Sequence, residues 1–214
     1  MRKIIYYVHT SLDGHIDGPG GEFDWPAVGP EMFAHSDELT ARVDTFLYGR
    51  GVWEVMSSYW PNAEAYSDDE HDLKFAPIWR STPKIVFSTT LDQAGWNTRI
   101  IGANLAEEVA ELKRQPGKDM LLLGGSALGG ELARLGLIDE YHVVVHPVVL
   151  GGGRALLATR GERRALRLVE TRTFDGRTVL LRYVPAGDEH VSSDDEHVFT
   201  GDEHVPAGDE REAR

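Results

Sequence analysis

Met120-Leu121-Leu122-Leu123 is apolar at every position and runs directly into Gly124-Gly125-Ser126. A strand that is apolar on both faces cannot lie against water on either side, so it predicts a sheet covered by helices above and below. Three more short runs repeat the pattern. Ile4 to Val8 opens the chain, Thr45 to Tyr48 ends in Gly49, and Lys84 to Phe87 ends in Ser88-Thr89-Thr90. Helical spacing separates them: Met32, Phe33, Leu39 and Val43 within 31–43; Leu105, Val109 and Leu112 before the turn Gln115-Pro116-Gly117; and 127–135 after the glycines. Strands at 141–145 and 167–173 follow, and Asp175-Gly176 is a hairpin turn into a last strand at 178–184. The pattern predicts one α/β domain with a central, mostly parallel sheet, helices on both faces and an antiparallel C-terminal edge.

Composition changes after Val184. Asp-Glu-His-Val begins at 188, 195 and 202, and Asp-Glu returns at 209. A seven-residue interval suggests a coiled coil, but only Val191, Val198 and Val205 recur as strongly apolar residues. Gly187, Gly201, Pro206 and Gly208 interrupt them. Residues 185–214 are expected to be an acidic, disordered tail; weak metal capture by His190, His197 and His204 is the sharper alternative. The tail holds 10 acidic and 2 basic residues, so −8 of the chain's −13 lies there and −5 in residues 1–184. No compact basic face is evident, so nucleic acid is not an expected partner. No apolar run approaches the ~20 residues that cross a bilayer. Met1 to Val8 enters a strand without a cleavage site, which predicts a cytoplasmic protein without a signal peptide. With no cysteine in 214 residues, thiol catalysis, disulfides and Cys-ligated zinc are excluded.

The residues that end the strands carry the functional signal. In open α/β sheets, ligands bind at the carboxyl ends of strands, where helix N-termini offer free N–H groups. Gly49-Arg50-Gly51, Ser88-Thr89-Thr90 and Gly124-Gly125-Ser126 occupy three such positions, which suits an extended, phosphate-bearing cofactor. The common nucleotide motifs are absent. Residues 124–130 lack the Gly-Lys-Ser/Thr ending of a P-loop, and no G-x-G-x-x-G follows the first strand.

Ser11-Leu12-Asp13-Gly14, Leu47-Tyr48-Gly49-Arg50, Lys84-Ile85-Val86-Phe87-Ser88, Leu123-Gly124-Gly125-Ser126, Leu137-Ile138-Asp139-Glu140 and the run from His146 to Gly153 stand in order. Together they resemble the dihydrofolate-reductase-like family, in the branch of the reductase domain of bacterial riboflavin biosynthesis. The resemblance covers about residues 1–184. It implies an NADPH-binding domain, with Gly49, Arg50 and Gly51 at the adenosine phosphate end and Ser88 and Thr89 near the 2′-phosphate ribose. It places Gly124 and Gly125 against nicotinamide and pyrophosphate, with Ser126, Ala127 and Leu128 opening a phosphate-binding helix. Ile16 would touch the cofactor ring. Relatives often join the paired glycines by a cis peptide. Val52 departs from the family's threonine, which removes one hydroxyl contact worth roughly 1 kcal/mol. The zinc deaminase often fused to such reductases uses His/Cys/Cys ligands, so it is not expected in a cysteine-free chain.

Three residues are candidates for the chemistry. Glu31 comes nearest to the acid that pairs with the pterin in folate reductases, and it is equally a first-turn helix carboxylate. Asp13 is a second proton-donor candidate, with ordinary turn chemistry as its other reading. His9 ends the first strand, where it either faces the nicotinamide or is a half-buried strand histidine. Tyr59, Trp60, Tyr66, Phe75 and Trp79 would wall a substrate pocket or form a homodimer interface, around acidic residues 68–72 read as a solvated loop. The expected function is NADPH-dependent hydride transfer to a small heterocyclic or carbonyl/imine substrate, similar to 5-amino-6-(5-phosphoribosylamino)uracil reductase. Dihydrofolate reduction is one alternative. A non-catalytic nucleotide-binding protein with an acidic interaction tail is another.

Overall fold

The apolar runs form the middle of one eight-stranded sheet. The computed structural model describes residues 1–158 and 163–187. Its strands are β1 (Ile4–Ser11), β2 (Val43–Gly49), β3 (Lys84–Phe87), β4 (Thr98–Ile101), β5 (Asp119–Leu123), β6 (Glu140–His146), β7 (Leu166–Phe174) and β8 (Thr178–Pro185). The helices are α1 (Pro30–Ala41), α2 (Arg50–Tyr59), α3 (Glu70–Ser81), α4 (Leu105–Arg114) and α5 (Ser126–Arg134). Spatial order is β4-β3-β2-β5-β1-β6-β8-β7. Every pair from β4 to β6 is parallel, and β8 and β7 close the far edge antiparallel. The hairpin turn follows its sequence: Phe174 pairs with Thr178, and within the three-residue connection Asp175 and Gly176 both have positive φ while the Arg177 N–H closes onto the Phe174 carbonyl at 2.9 Å.

Strand alternation divides the core in two. Ile4, Tyr6, Val8, Leu47, Ile85, Met120 and Leu122 face α4 and α5, meeting Val109, Leu112 and Leu132. Ile5, Tyr7, Phe46, Tyr48, Val86 and Leu121 face the other way, against Met32 and Leu39 of α1, Trp53 of α2, and Phe75 and Trp79 of α3. The α5 layer sits close to β1 because Gly129 has no side chain: a Cβ there would lie 2.8 Å from the Tyr6 ring.

The structure revises the reading of 57–79. Phe75 and Trp79 are buried in the core of their own chain, so neither is available to a pocket wall or a dimer face. The acidic stretch is not a free loop. Asp69 caps α3 by accepting from the His71 N–H at 2.8 Å, and the Tyr59 hydroxyl donates to Asp72 at 2.6 Å. Helix α2 and strand β4 extend the sequence reading. Arg50 begins a helix at once rather than a loop, and β4 is a short, partly exposed edge strand containing Arg99. The acidic repeats from Asp188 onward lie outside the described residues. Among the described residues, no helix is long and apolar enough to cross a membrane.

Candidate functional site

Three helices begin where β2, β4 and β5 end, and their N-termini converge on one cleft of about 570 Å³. The first N–H groups of a helix have no partner inside it, so they need a cap, water or a ligand. The two α-helices outside the cleft meet carboxylates at their first turns. Asp69 serves α3, and Asp175 Oδ1 accepts from the Glu31 N–H of α1 at 3.2 Å. The three that face the cleft begin at Gly49, Asn104 and Gly125, and none has a side-chain cap bond. Their combined positive dipoles and open N–H groups make an anion-binding surface. Arg50 and Arg154 line the same cleft, with the Arg50 guanidinium 3.3 Å from Glu54.

The diglycine turn has a backbone reason for its composition. Gly124 and Gly125 have φ of 57° and 84°, in the region that L side chains rarely adopt. Gly124 donates to the Tyr7 carbonyl at 2.9 Å, which ties the turn to β1. Both residues lie in trans peptides, so the cis linkage common among relatives is absent.

Ten of the twelve residues expected around a cofactor line this cleft: Gly49, Arg50, Gly51, Val52, Ser88, Thr89, Gly125, Ser126, Ala127 and Leu128. Two do not. Gly124 stands behind Gly125, and Ile16 is buried in the α5-side core, with its N–H on the Arg154 carbonyl at 2.9 Å. Some hydroxyls are already engaged. Ser126 donates to the Ala155 carbonyl, while Ser88 Oγ accepts from the N–H groups of Thr90 and Leu91. Thr90 accepts from Arg50 at 3.0 Å and so orients the guanidinium.

The three catalytic candidates are dispersed. Glu31 is exposed, and its carboxylate accepts from the Asp175 N–H at 2.5 Å in a reciprocal link between α1 and the β7–β8 turn. Asp13 binds the N–H groups of Leu150 and Gly151 at 3.1 and 2.8 Å. The Ser11 hydroxyl and the Leu150 N–H hold its carboxyl far below the usual range, outweighing a small loss of water, and Gly151 adds to this. A carboxyl so readily ionised is a poor proton donor and a good loop tie. A second tie lies beside it: Asp17, almost fully buried, pairs with Arg154 at 2.5 Å. Burial works against the Asp17 charge, yet the Arg154 bonds hold its pKa below the ordinary value. His9 does not end β1, which runs on to Ser11; it is half-buried two residues before that end, with Nδ1 2.8 Å from His146 Nε2.

Sequence reasoning missed the β4 wall of the cleft, from Ile101 to Leu105 with Asn104 in the left-handed region, and it missed Arg154. The signal for the first was present. Ile100-Ile101-Gly102 is a third apolar run ending in glycine, shortened below notice by Arg99.

A family model described as the RibD C-terminal domain matches residues 2–180. The uncharacterized protein YyaP of Bacillus subtilis (strain 168) is 38% identical over 183 residues, covering 86% of this chain and 95% of that protein. Among solved structures, a putative riboflavin biosynthesis protein from Shewanella sp. PV-4 superposes with a TM-score of 0.66 at 22% identity, covering 86% of this chain and 99% of the other. A dihydrofolate reductase from Enterococcus faecalis complexed with NADP(H) gives a TM-score of 0.58 at 14% identity, over 86% and 96%. At such identities the likeness is one of fold.

Proposed function

The chain belongs to the RibD C-terminal domain family, and from that premise we propose that it is an NADPH-dependent reductase of a small heterocyclic or carbonyl/imine substrate. One observation carries the reading: three α-helix N-termini without side-chain caps face a single cleft, while the other two α-helices meet a carboxylate there, Asp69 at α3 and Asp175 of the β7–β8 turn at α1. Three such ends fit a ligand carrying phosphates at more than one point better than they fit a single ion.

The residues present fit a dinucleotide. The N–H groups opening α2 and α5 would hold the pyrophosphate. Arg50, oriented by Thr90, would meet a 2′-phosphate, which is the feature that separates NADPH from NADH. Gly125 would let backbone approach the cofactor closely, in the shape its positive φ imposes. When bound, the nicotinamide supplies a hydride. The protein's part is to orient that ring near the diglycine turn and to hold the acceptor against the end of β1. Asp13 and Asp17 tie the loop after β1 to residues 150–154 and so keep that wall in place.

Titration with NADPH, followed by tryptophan fluorescence and thermal unfolding, tests the proposal. At a hundredfold excess over Kd, binding adds about 2.7 kcal/mol of stability. For a chain of this size that raises Tm by roughly 5–10 °C. No quenching and no thermal shift at millimolar NADPH would refute it.

A further inference from the structure

Four histidines lie on the α1 side of the sheet: His9 on β1, His142 and His146 on β6, and His35 on α1. The His9 and His146 rings lie 5.0 Å apart, Trp25 meets His146 edge-on at 5.4 Å, and Tyr7 meets His9 edge-on at 5.1 Å. Burial pushes His146 down to about 4. Burial first, then His146 and His35, pushes His9 down to about 3. Both rings are therefore neutral at neutral pH, with one proton each.

Neutrality makes the hydrogen bonds directional. The Ala27 N–H donates to His146 Nδ1 at 3.0 Å, so that nitrogen carries no proton. The single proton of His146 then lies on Nε2, which donates across 2.8 Å to His9 Nδ1. His9 in turn must carry its own proton on Nε2. Among the described residues that Nε2–H meets no acceptor, and His9 is only half-buried. The open end also has a defined place. Tyr7, two residues earlier, accepts from Gly124, so β5 turns away at the diglycine while β1 runs on beside β6 through His9, which sets His9 next to that turn.

We propose that Ala27, His146 and His9 form a hydrogen-bond chain of fixed polarity that presents the His9 Nε2–H to an oxygen or nitrogen lone pair on the molecule being reduced. This rests on the reductase reading and adds a selection rule to it. The site takes an acceptor atom at that point, such as a ring carbonyl or an imine nitrogen, and disfavours an N–H, which would leave two donors facing each other. His9 holds this atom without protonating it. Loss of the Nε2 proton would leave an imidazolate, and the backbone N–H at the far end of the chain has no proton to pass along. Water is then the proton source. His146 is a positioning residue, and its setting depends on the loop residue Ala27.

Imidazole 15N spectroscopy of the full chain at pH 7 tests this, with resonances assigned by His9→Gln. The expected result is His9 protonated on Nε2 and bare on Nδ1, and His146 in the same form. His146→Ala should turn His9 into a mixture of tautomers. His146→Gln, whose amide N–H replaces the Nε2–H, should restore the single form. Uracil, a flat heterocycle with ring carbonyls, should shift the His9 Nε2–H when added as a probe. His9 protonated on Nδ1, indifference to His146→Ala, or no response to uracil would each overturn the proposal. Should His146→Ala fail to fold, the wild-type and His146→Gln spectra decide. NADPH affinity is measured alongside and should stay within about twofold in both His146 variants. Failure of the wild type to bind NADPH would sink the reductase reading and leave the tautomer result standing. NADPH binding with His9 in the other tautomer would sink the chain alone.

Discussion

Glu140 opens β6 with 3% of its surface exposed, and replacing it by glutamine should remove most of one pH-dependent part of the protein's stability. Its Oε2 lies 3.1 Å from His142 Nε2 and 3.7 Å from both Arg42 and Arg182, and Lys3 reaches Oε1 at 3.0 Å. The His142 hydrogen bond, opposed by burial and then helped by Lys3 and Arg42, brings the carboxyl from an ordinary 4.5 to about 2. At 1.36 kcal/mol per tenfold change in proton affinity, that is about 3 kcal/mol favouring the folded state. The group is depressed on folding, so this stability is fully present above pH 4.5 and drains away as pH falls toward 2. His9, His35 and His146, whose burial lowers their pKa to between about 3 and 4, also cost stability as pH falls below 6.5. A difference between two proteins cancels their share. Urea unfolding of wild type and Glu140→Gln from pH 7 to pH 3 should give curves about 3 kcal/mol apart at pH 7 that close steadily below pH 4.5. Curves that stay parallel over that range would refute the assignment.

Arg50→Ala should weaken NADPH by about tenfold to a hundredfold, since a hydrogen bond to a charged group is worth roughly 1.5–3 kcal/mol. NADH should hardly change, and equal losses for the two, read by calorimetry, would remove Arg50 from the 2′-phosphate. Gly125→Ala forces a side chain into φ 84° and sets its Cβ 3.4 Å from Val52. It should cost about 1–2 kcal/mol of stability in denaturation and, as the turn shifts, lower NADPH affinity beyond what unfolding accounts for. Asp13→Asn should loosen the loop ties to Leu150 and Gly151 and lower kcat/KM while leaving the shape of the pH–rate profile intact. Disappearance of the fall in rate as pH rises, the limb that loss of a protonated donor produces, would show that Asp13 is the proton donor after all.

The sheet was legible in the sequence because its strands are apolar on both faces, and such runs have few other folds open to them. Lys84–Phe87 occupies β3 residue for residue. The edge was harder. Thr98–Ile101 is four residues long and half solvated, so nothing in its pattern compels a strand. Residues 70–81 look polar because Asp68 to Asp72 dominate the eye, yet Asp69 is a cap and Phe75, Ala76 and Trp79 bury a narrow stripe. In the site, backbone motifs were readable and side-chain roles were not. A glycine after a strand says where a chain turns. Whether Asp13 is an acid or a tie, or which way His9 carries its proton, depends on Leu150, Gly151 and His146, more than 130 residues away.

The two ends of the parallel strands explain why these questions separate. At the N-terminal end polar groups are paired in excess: Arg2 with Asp44, Lys113 with Asp139 at 2.6 Å, Lys3 with Glu140, and Asp119 accepting from the Lys3 N–H at 2.9 Å. At the C-terminal end three helix N-termini lack side-chain caps and His9 offers a proton that no described residue accepts. A fold can leave donors unpaired only where water or a ligand reaches them, and it then needs its cooperativity from elsewhere. Substitutions at the first end, Glu140→Gln among them, should therefore change unfolding and leave NADPH affinity of the folded fraction within about twofold. Side-chain truncations at the second end that leave the backbone turn alone, such as Arg50→Ala, should do the reverse. A variant set in which both quantities fall together at both ends would show that the cleft is held by the same network that holds the fold.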